Sequence, residues 1–309
     1  MRARRLLAVS LAVGSLLAGA ACASDNVAGS KDKGSLTLSG QNFPEATLVA
    51  DMYKLVLEHA GYTVDLKLVG TRDVYMKQFP KDVDVVPEYV AGIADFLNTQ
   101  KNGANAKPIS THDAQQTLDN AKPLTDAAGI TMLDPAEATD QNAFFVTKKF
   151  ADQNSLTTLS DLGALGKPVV LAAAPDCQGR TDCEGGLSKT YGIDITKILP
   201  LGFASAQTYK SVLDGESQLG ESSTTDGSLE SQGLVLLKDD KGIQPAQNLI
   251  PAVSTAFLKD HPDVKTVLDK LMAKLTTDDL TTLNGKVGNE REKPEDVAKQ
   301  YLQDQGLLS

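Results

Sequence analysis

From Ser35 onward the chain alternates short strand-like segments with longer stretches of helical period, and few architectures accept that order. "SLTLS" (Ser35 to Ser39) alternates, "GQNF" follows as a loop, and Pro44 and Glu45 open a helix whose Leu48, Val49, Met52, Leu55 and Val56 keep one face. Proline suits a first helical position, an acid there suits the helix dipole, and Gly61 is a fitting stop. "TVDLKLV" reads as a second strand and "VDVV" as a third. "ITML", "AFFVT", "PVVLAA" and "GLVLL" follow as later strands, and the chain from about Ser254 reads as helices. Strands alternating with amphipathic helices predict an α/β fold with covering helices. The order predicts a first lobe from residues 35–139 and 227–309 and a second from 140–226, with crossings near Asp140 and Asp226.

The third strand runs into "DVDVVPEYVAG", Asp82 to Gly92. Proline cannot donate to a sheet ladder, so Pro87 should end the strand. Glu88 and Tyr89 then stand at the carboxyl end of the sheet, where open α/β folds hold their ligands. "SGQNFPE", "GTRDVY", "AAAPDC" and "GESSTTDG" are further polar loops after strands. Five such loops spread over two lobes predict a ligand cleft between the lobes, closed by a hinge.

Residues 1–21 read as a secretory signal: Arg2, Arg4 and Arg5, then the apolar stretch Leu6 to Leu17, then small residues before Cys22. That stretch is short for a membrane span. A cysteine after "LLAGAA" suggests lipidation at Cys22, with ordinary cleavage near Ala21 or Ala23 as the alternative; residues 22–34 form a flexible tether. Losing three arginines and no acids takes the formal charge from -10 to -13, which argues against a nucleic-acid or anionic-membrane surface. The remaining cysteines, Cys177 and Cys183 in "DCQGRTDC", favour a local disulfide in an exported chain; no nearby histidine or second cysteine pair completes a metal site.

The search for catalysis is nearly empty. His59, His112 and His261 have no partner at ligand spacing, and neither a Gly-x-Ser-x-Gly elbow nor a phosphate-cradling glycine loop occurs. No catalytic residue, metal or cofactor is expected.

The motifs resemble those of the substrate-binding proteins of osmoprotectant ABC importers, which take glycine betaine, choline, carnitine and related compounds. "LTLSGQNFPEATLVADMYKLVLEHAGYTVDLKL" is similar to the family's first strand, loop and helix, and "DVDVVPEYVAG" to its "DlyPEYtGt" signature. "NAFFVTKKFADQNSLTTLSDL" resembles the opening of the second lobe, "SSTTDGSLESQGLVLLKDDKG" the return crossing, and "LNGKV" with "KPEDVAKQYLQDQG" the helical end. The resemblance implies the two-lobed type II periplasmic-binding-protein fold. It implies that Tyr89 packs on a quaternary ammonium, which has no donors and is held by aromatic faces at about 0.5–2 kcal/mol per ring. Gln41, Asn42 and Thr71, with Arg72 as charge partner, would take a carboxylate or hydroxyl, and Phe43, Tyr75, Ser223 and Thr224 complete the expected ligand set. The implied partners are an ABC permease and its ATPase, with the receptor a lipid-anchored, extracytoplasmic monomer. The chain departs from the family at Ser223, before "TTDG", and in "PDCQGRTDC", where the family carries cage aromatics; it has no tryptophan. Alternatives left open are the same fold binding a polar, aromatic or phenolic ligand, a sensor lipoprotein, and a secreted enzyme.

Overall fold

A computed structural model describes residues 32–308. Five strands build the first sheet: β1 (Ser35–Gln41), β2 (Thr63–Val69), β3 (Val85–Tyr89), β4 (Ile130–Met132) and, far along the chain, β10 (Leu249–Ser254). The second sheet takes β5 (Asn142–Thr147), β6 (Val169–Ala173), β7 (Ile195–Pro200), β8 (Leu219–Ser223) and β9 (Leu234–Leu237). Their orders correspond, β2-β1-β3-β10-β4 and β7-β6-β8-β5-β9. In each sheet three parallel strands are joined by one antiparallel strand that the chain delivers on crossing from the other sheet.

Helices cover the first sheet on both faces. On one face lie α1 (Pro44–His59) and, from the end of the chain, α9 to α12: Thr255–Asp260, Asp263–Met272, Thr277–Gly288 and Pro294–Asp304. On the other lie α2 (Arg72–Tyr75), α3 (Val90–Asn102) and α4 (Ala114–Ala128). The second sheet carries α5 (Lys148–Asn154), α6 (Leu159–Ala164), α7 (Glu184–Tyr191) and α8 (Ala206–Leu213). Local signals explain the ends: Pro44 opens α1, Gly129 closes α4 in the left-handed region, and Thr158 with Asp161 and Thr276 with Asp279 form capping boxes. Cys177 and Cys183 are joined, with Cα atoms 5.3 Å apart, inside the second sheet's core.

Two expectations are corrected. Pro87 does not end β3; it lies inside the strand, opposite Pro251 of β10, so two residues without N–H groups share one rung. The return crossing is not near Asp226, because β9 pairs antiparallel with β5 and keeps the chain in the second sheet to Leu237. The loop after β8 does touch the first half, but through α11 and without leaving its own sheet. The two true crossings run side by side. Asp140 N–H donates to Gln247 O (3.1 Å), Leu249 N–H donates to Ala138 O (3.0 Å), and Thr139 bridges Asn248 antiparallel.

Phe145 and Gly220 face each other across β5 and β8, and a Cβ at Gly220 would stand 2.3 Å from the buried ring. Overpacking of this kind costs about 1–3 kcal/mol. We expect Gly220→Ala to lower the urea midpoint accordingly without changing the slope of the transition.

Candidate ligand site

The carboxyl end of β3 carries two polar systems on opposite faces of the sheet. Side chains alternate along a strand, so Tyr89 joins Val85 in the core under α1, whereas Glu88 points with Val86 toward α2 and α3. Glu88 is 1 % exposed and fully engaged. Arg72 grips it through Nε (2.9 Å) and Nη2 (2.9 Å), the Tyr75 hydroxyl donates to Oε1, and the N–H of Tyr89 donates to Oε2 (3.1 Å). A buried carboxylate is stable only when paired and hydrogen-bonded in this way. Burial alone would push Arg72 toward neutrality; Glu88 more than offsets it and leaves the guanidinium raised above its ordinary value. A Cβ at Gly92 would meet Arg72 Nη2 at 2.5 Å, so the small residue at the start of α3 makes room for the arginine.

On the opposite face, Tyr89 donates its hydroxyl to Glu45 Oε1 (2.6 Å), and its ring stacks with Phe43 at 6.4 Å between centroids and 22° between planes. Asn284 of α11 donates to the other oxygen of Glu45 (2.6 Å) and to Thr225 O (3.1 Å). Thr225 in turn donates to Asp140 on the first crossing (3.1 Å). Burial first, then the negative charge of Glu45, pushes the Asp140 carboxyl up to about 7. Burial and Glu45 likewise raise the Tyr89 phenol well above its ordinary value, keeping it a donor.

The expected ligand residues divide into available and engaged groups. Gln41 and Asn42, at the end of β1, form no side-chain hydrogen bond among the described residues, and Asn42 is exposed. Arg72 keeps 22 % of its side chain exposed while its Nε and Nη2 are engaged on Glu88. Phe43 is half-buried and Tyr89 is 9 % exposed at the same loop. Tyr75, by contrast, is 2 % exposed in the other core, so Tyr75 and Tyr89 do not face one another. The exposed Thr71 donates to Asp73 (2.5 Å). Thr224 donates to Thr139 O (2.7 Å) and accepts the N–H of Gln141 (3.0 Å), which ties it to the crossing. Ser223 ends β8 opposite Asn142 and lies 3.4 Å from the Thr225 hydroxyl. Cys22 lies outside the described residues.

Sequence reasoning missed Glu45, Asp140, Thr225 and Asn284 as parts of this site. Glu45 offered a signal, an acid in a helix's first turn, but that position has a sufficient local explanation in the dipole. In the second half, Arg180 pairs with Asp182 (2.6 Å) and Asp176 (3.1 Å) beside the disulfide. Buried Glu221 accepts the N–H of Ala174 (2.7 Å) and lies 3.6 Å from Cys183 Sγ; because both sulfurs are bonded to each other, the cluster is not a thiolate metal site.

Residues 34–304 match the family described as the substrate binding domain of the ABC-type glycine betaine transport system. The chain belongs to this family. A glycine-betaine-binding protein of Pseudomonas aeruginosa is 26% identical over 298 residues, 93% of each chain. The ergothioneine transport permease/ergothioneine binding protein EgtU of Helicobacter pylori is 27% identical over 238 residues, 77% of this chain and 41% of that one. The structure of apo YehZ from Escherichia coli is similar with a TM-score of 0.74 at 25% identity, covering 88% of this chain and 99% of that one. The two-sheet architecture is that of the type II periplasmic binding proteins. Family membership makes the chain a substrate-binding component of an ABC importer.

The folded chain holds the Asp140 proton more tightly than an unfolded chain does, from the ordinary 3.8 to about 7. The folded state therefore binds more protons in that window, and stability falls as pH rises through it. Urea midpoints from pH 5 to pH 8 should decline in the wild type, and Asp140→Asn should flatten that decline. An equal slope in both proteins would clear Asp140 of the effect.

Proposed function

We propose that the protein is a lipid-anchored extracytoplasmic receptor that closes two lobes around a quaternary-ammonium solute of the betaine, carnitine or choline class and presents it to its permease. The aromatic pair Phe43–Tyr89, set beside the free amides of Gln41 and Asn42, carries this reading. The ring faces suit the methylated head, which water solvates poorly and hydrogen bonds cannot hold. The amides, with the open edge of Arg72, suit a carboxylate at the other end. Two adjacent crossings joined by few backbone bonds form a natural hinge, and the ligand acts by shifting an open–closed equilibrium. The lobes are then best divided at the crossings, near residue 140 and between residues 237 and 249, with Ser223 and Thr224 on the second lobe's rim.

A betaine that carries its own aromatic ring is the second reading. It is favoured by Ser223, which stands where the family places an aromatic, and by the relative named for ergothioneine. Anchoring through Cys22 is supported by the basic, apolar and small-residue sequence before it. No helix among the described residues is long and apolar enough to cross a membrane.

A thermal-shift panel of glycine betaine, choline, carnitine and ergothioneine tests the reading, since a solute at about 100 times its Kd adds about 2.7 kcal/mol to the folded state. One of the four should raise Tm with its concentration; four flat responses sink the proposal. For the responding solute, calorimetric titration should show Tyr89→Leu weaker by about 2- to 30-fold, the range of one cation–ring contact. Tyr89→Phe keeps the ring and should lose less affinity than Tyr89→Leu, its cost being the hydrogen bond from the hydroxyl to Glu45. Radiolabelled palmitate should mark the wild type and spare Cys22→Ser, which should be shed into the medium.

A further inference from the structure

Helix α11 belongs to the first half by its packing, since Leu280 and Leu283 lie in the core beneath α1. Another side of the same helix meets the loop that leaves β8 in the second half. Asn284 donates to Thr225 O (3.1 Å), Asn289, just past the helix, donates to Gly227 O (3.0 Å), and the Thr281 hydroxyl lies 3.3 Å from Thr224 O while also serving its own helix. Between these bonds the two backbones touch. A Cβ at Gly227 would stand 2.4 Å from Thr281 O and 2.5 Å from Gly285 N, and one at Gly285 would stand 3.4 Å from Gly227 O. Only glycine at 227 permits that approach. The loop is also fastened to the first crossing, through Thr224 to Thr139 O and Thr225 to Asp140.

We propose that the seat of residues 224–227 on α11 is the pivot of lobe closure, a third link between the halves, and that Asn284 is the positioning residue that couples Tyr89 to it. The proposal rests on the reading that the halves close on a ligand. Two adjacent antiparallel crossings can both bend and twist, so they leave the axis of rotation loosely defined. A third contact, fastened to the first crossing through Thr224 and Thr225 but seated on a separate element, α11, narrows that freedom. Glycine against glycine offers no interlocking side chains, and a carbonyl accepts hydrogen bonds over a broad range of directions, so the seat can turn without breaking. Asn284 uses both amide hydrogens in this arrangement, one on the second half's loop and one on Glu45, whose other oxygen holds Tyr89. A shift of Tyr89 on binding is thereby felt at the pivot through a single carboxylate and a single amide.

The experiment is a distance measurement between spin labels at two exposed positions, Lys81→Cys in the first half and Lys197→Cys in the second, in the full chain bearing Cys22→Ser. Asn284→Ala and Gly227→Ala should broaden or displace the ligand-free distribution, whereas a residue that only stabilises the fold would lower Tm and leave the distribution in place. With glycine betaine as probe, Asn284→Ala should release it about fivefold faster or more, the size of an ordinary coupling between sites. Should either variant fail to fold by circular dichroism, Asn289→Ala, which removes one bond of the seat, takes its place with the same expectation. Unchanged ligand-free distributions in the folded variants overturn the pivot. Failure of every candidate solute to narrow the wild-type distribution overturns the ligand reading instead, and the ligand-free comparison still decides the pivot.

Discussion

The buried carboxylate of Glu45 is the point on which the site is built. It sits in the first turn of α1, where the helix's free N–H groups favour negative charge, and each of its oxygens accepts from a different part of the molecule. An unpaired carboxylate there would be expensive, because desolvation is offset only when hydrogen bonds replace the lost water. Tyr89 and Asn284 supply those bonds, so satisfying one acid aligns the end of β3, the start of α1 and one side of α11. The Tyr89 ring is held in place by an interaction on its hydroxyl, away from its face.

A second acid organises the opposite face. Glu88 gathers Arg72, Tyr75 and the backbone of Tyr89, and leaves part of the guanidinium open. Strand alternation separates the two systems although their residues are adjacent in sequence. The first half thus places the Phe43–Tyr89 pair and the Arg72 guanidinium at the same sheet end, on opposite faces. Asp140 adds a titrating carboxyl where crossing, loop and Glu45 meet, and its burial beside a like charge is why its proton is held so firmly.

The matched strand orders of the two sheets explain how so few residues join them. Each crossing ends as the antiparallel strand within the sheet it enters, so its ladder bonds anchor it on both sides. Between Leu237 and Leu249, and around Thr139 to Gln141, the backbone passes from one sheet to the other, bridged antiparallel at Thr139 and Asn248.

By itself the sequence determined what depends on neighbours along the chain: seven of the ten described strands, the proline opening of α1, the α/β class and the nearby cysteine pair, while β7, β8 and β10 escaped it. It also placed Gln41, Asn42, Phe43, Arg72 and Tyr89 at strand ends, since periodicity and turn chemistry act within a few residues. Only the tertiary structure decided that β9 stays with the second sheet, that two prolines share a rung, that Tyr75 turns away from Tyr89, and that Asn284 reaches Glu45 across 239 positions. Those outcomes follow from which distant groups must satisfy one another once water is excluded, and no local pattern of residues records that requirement.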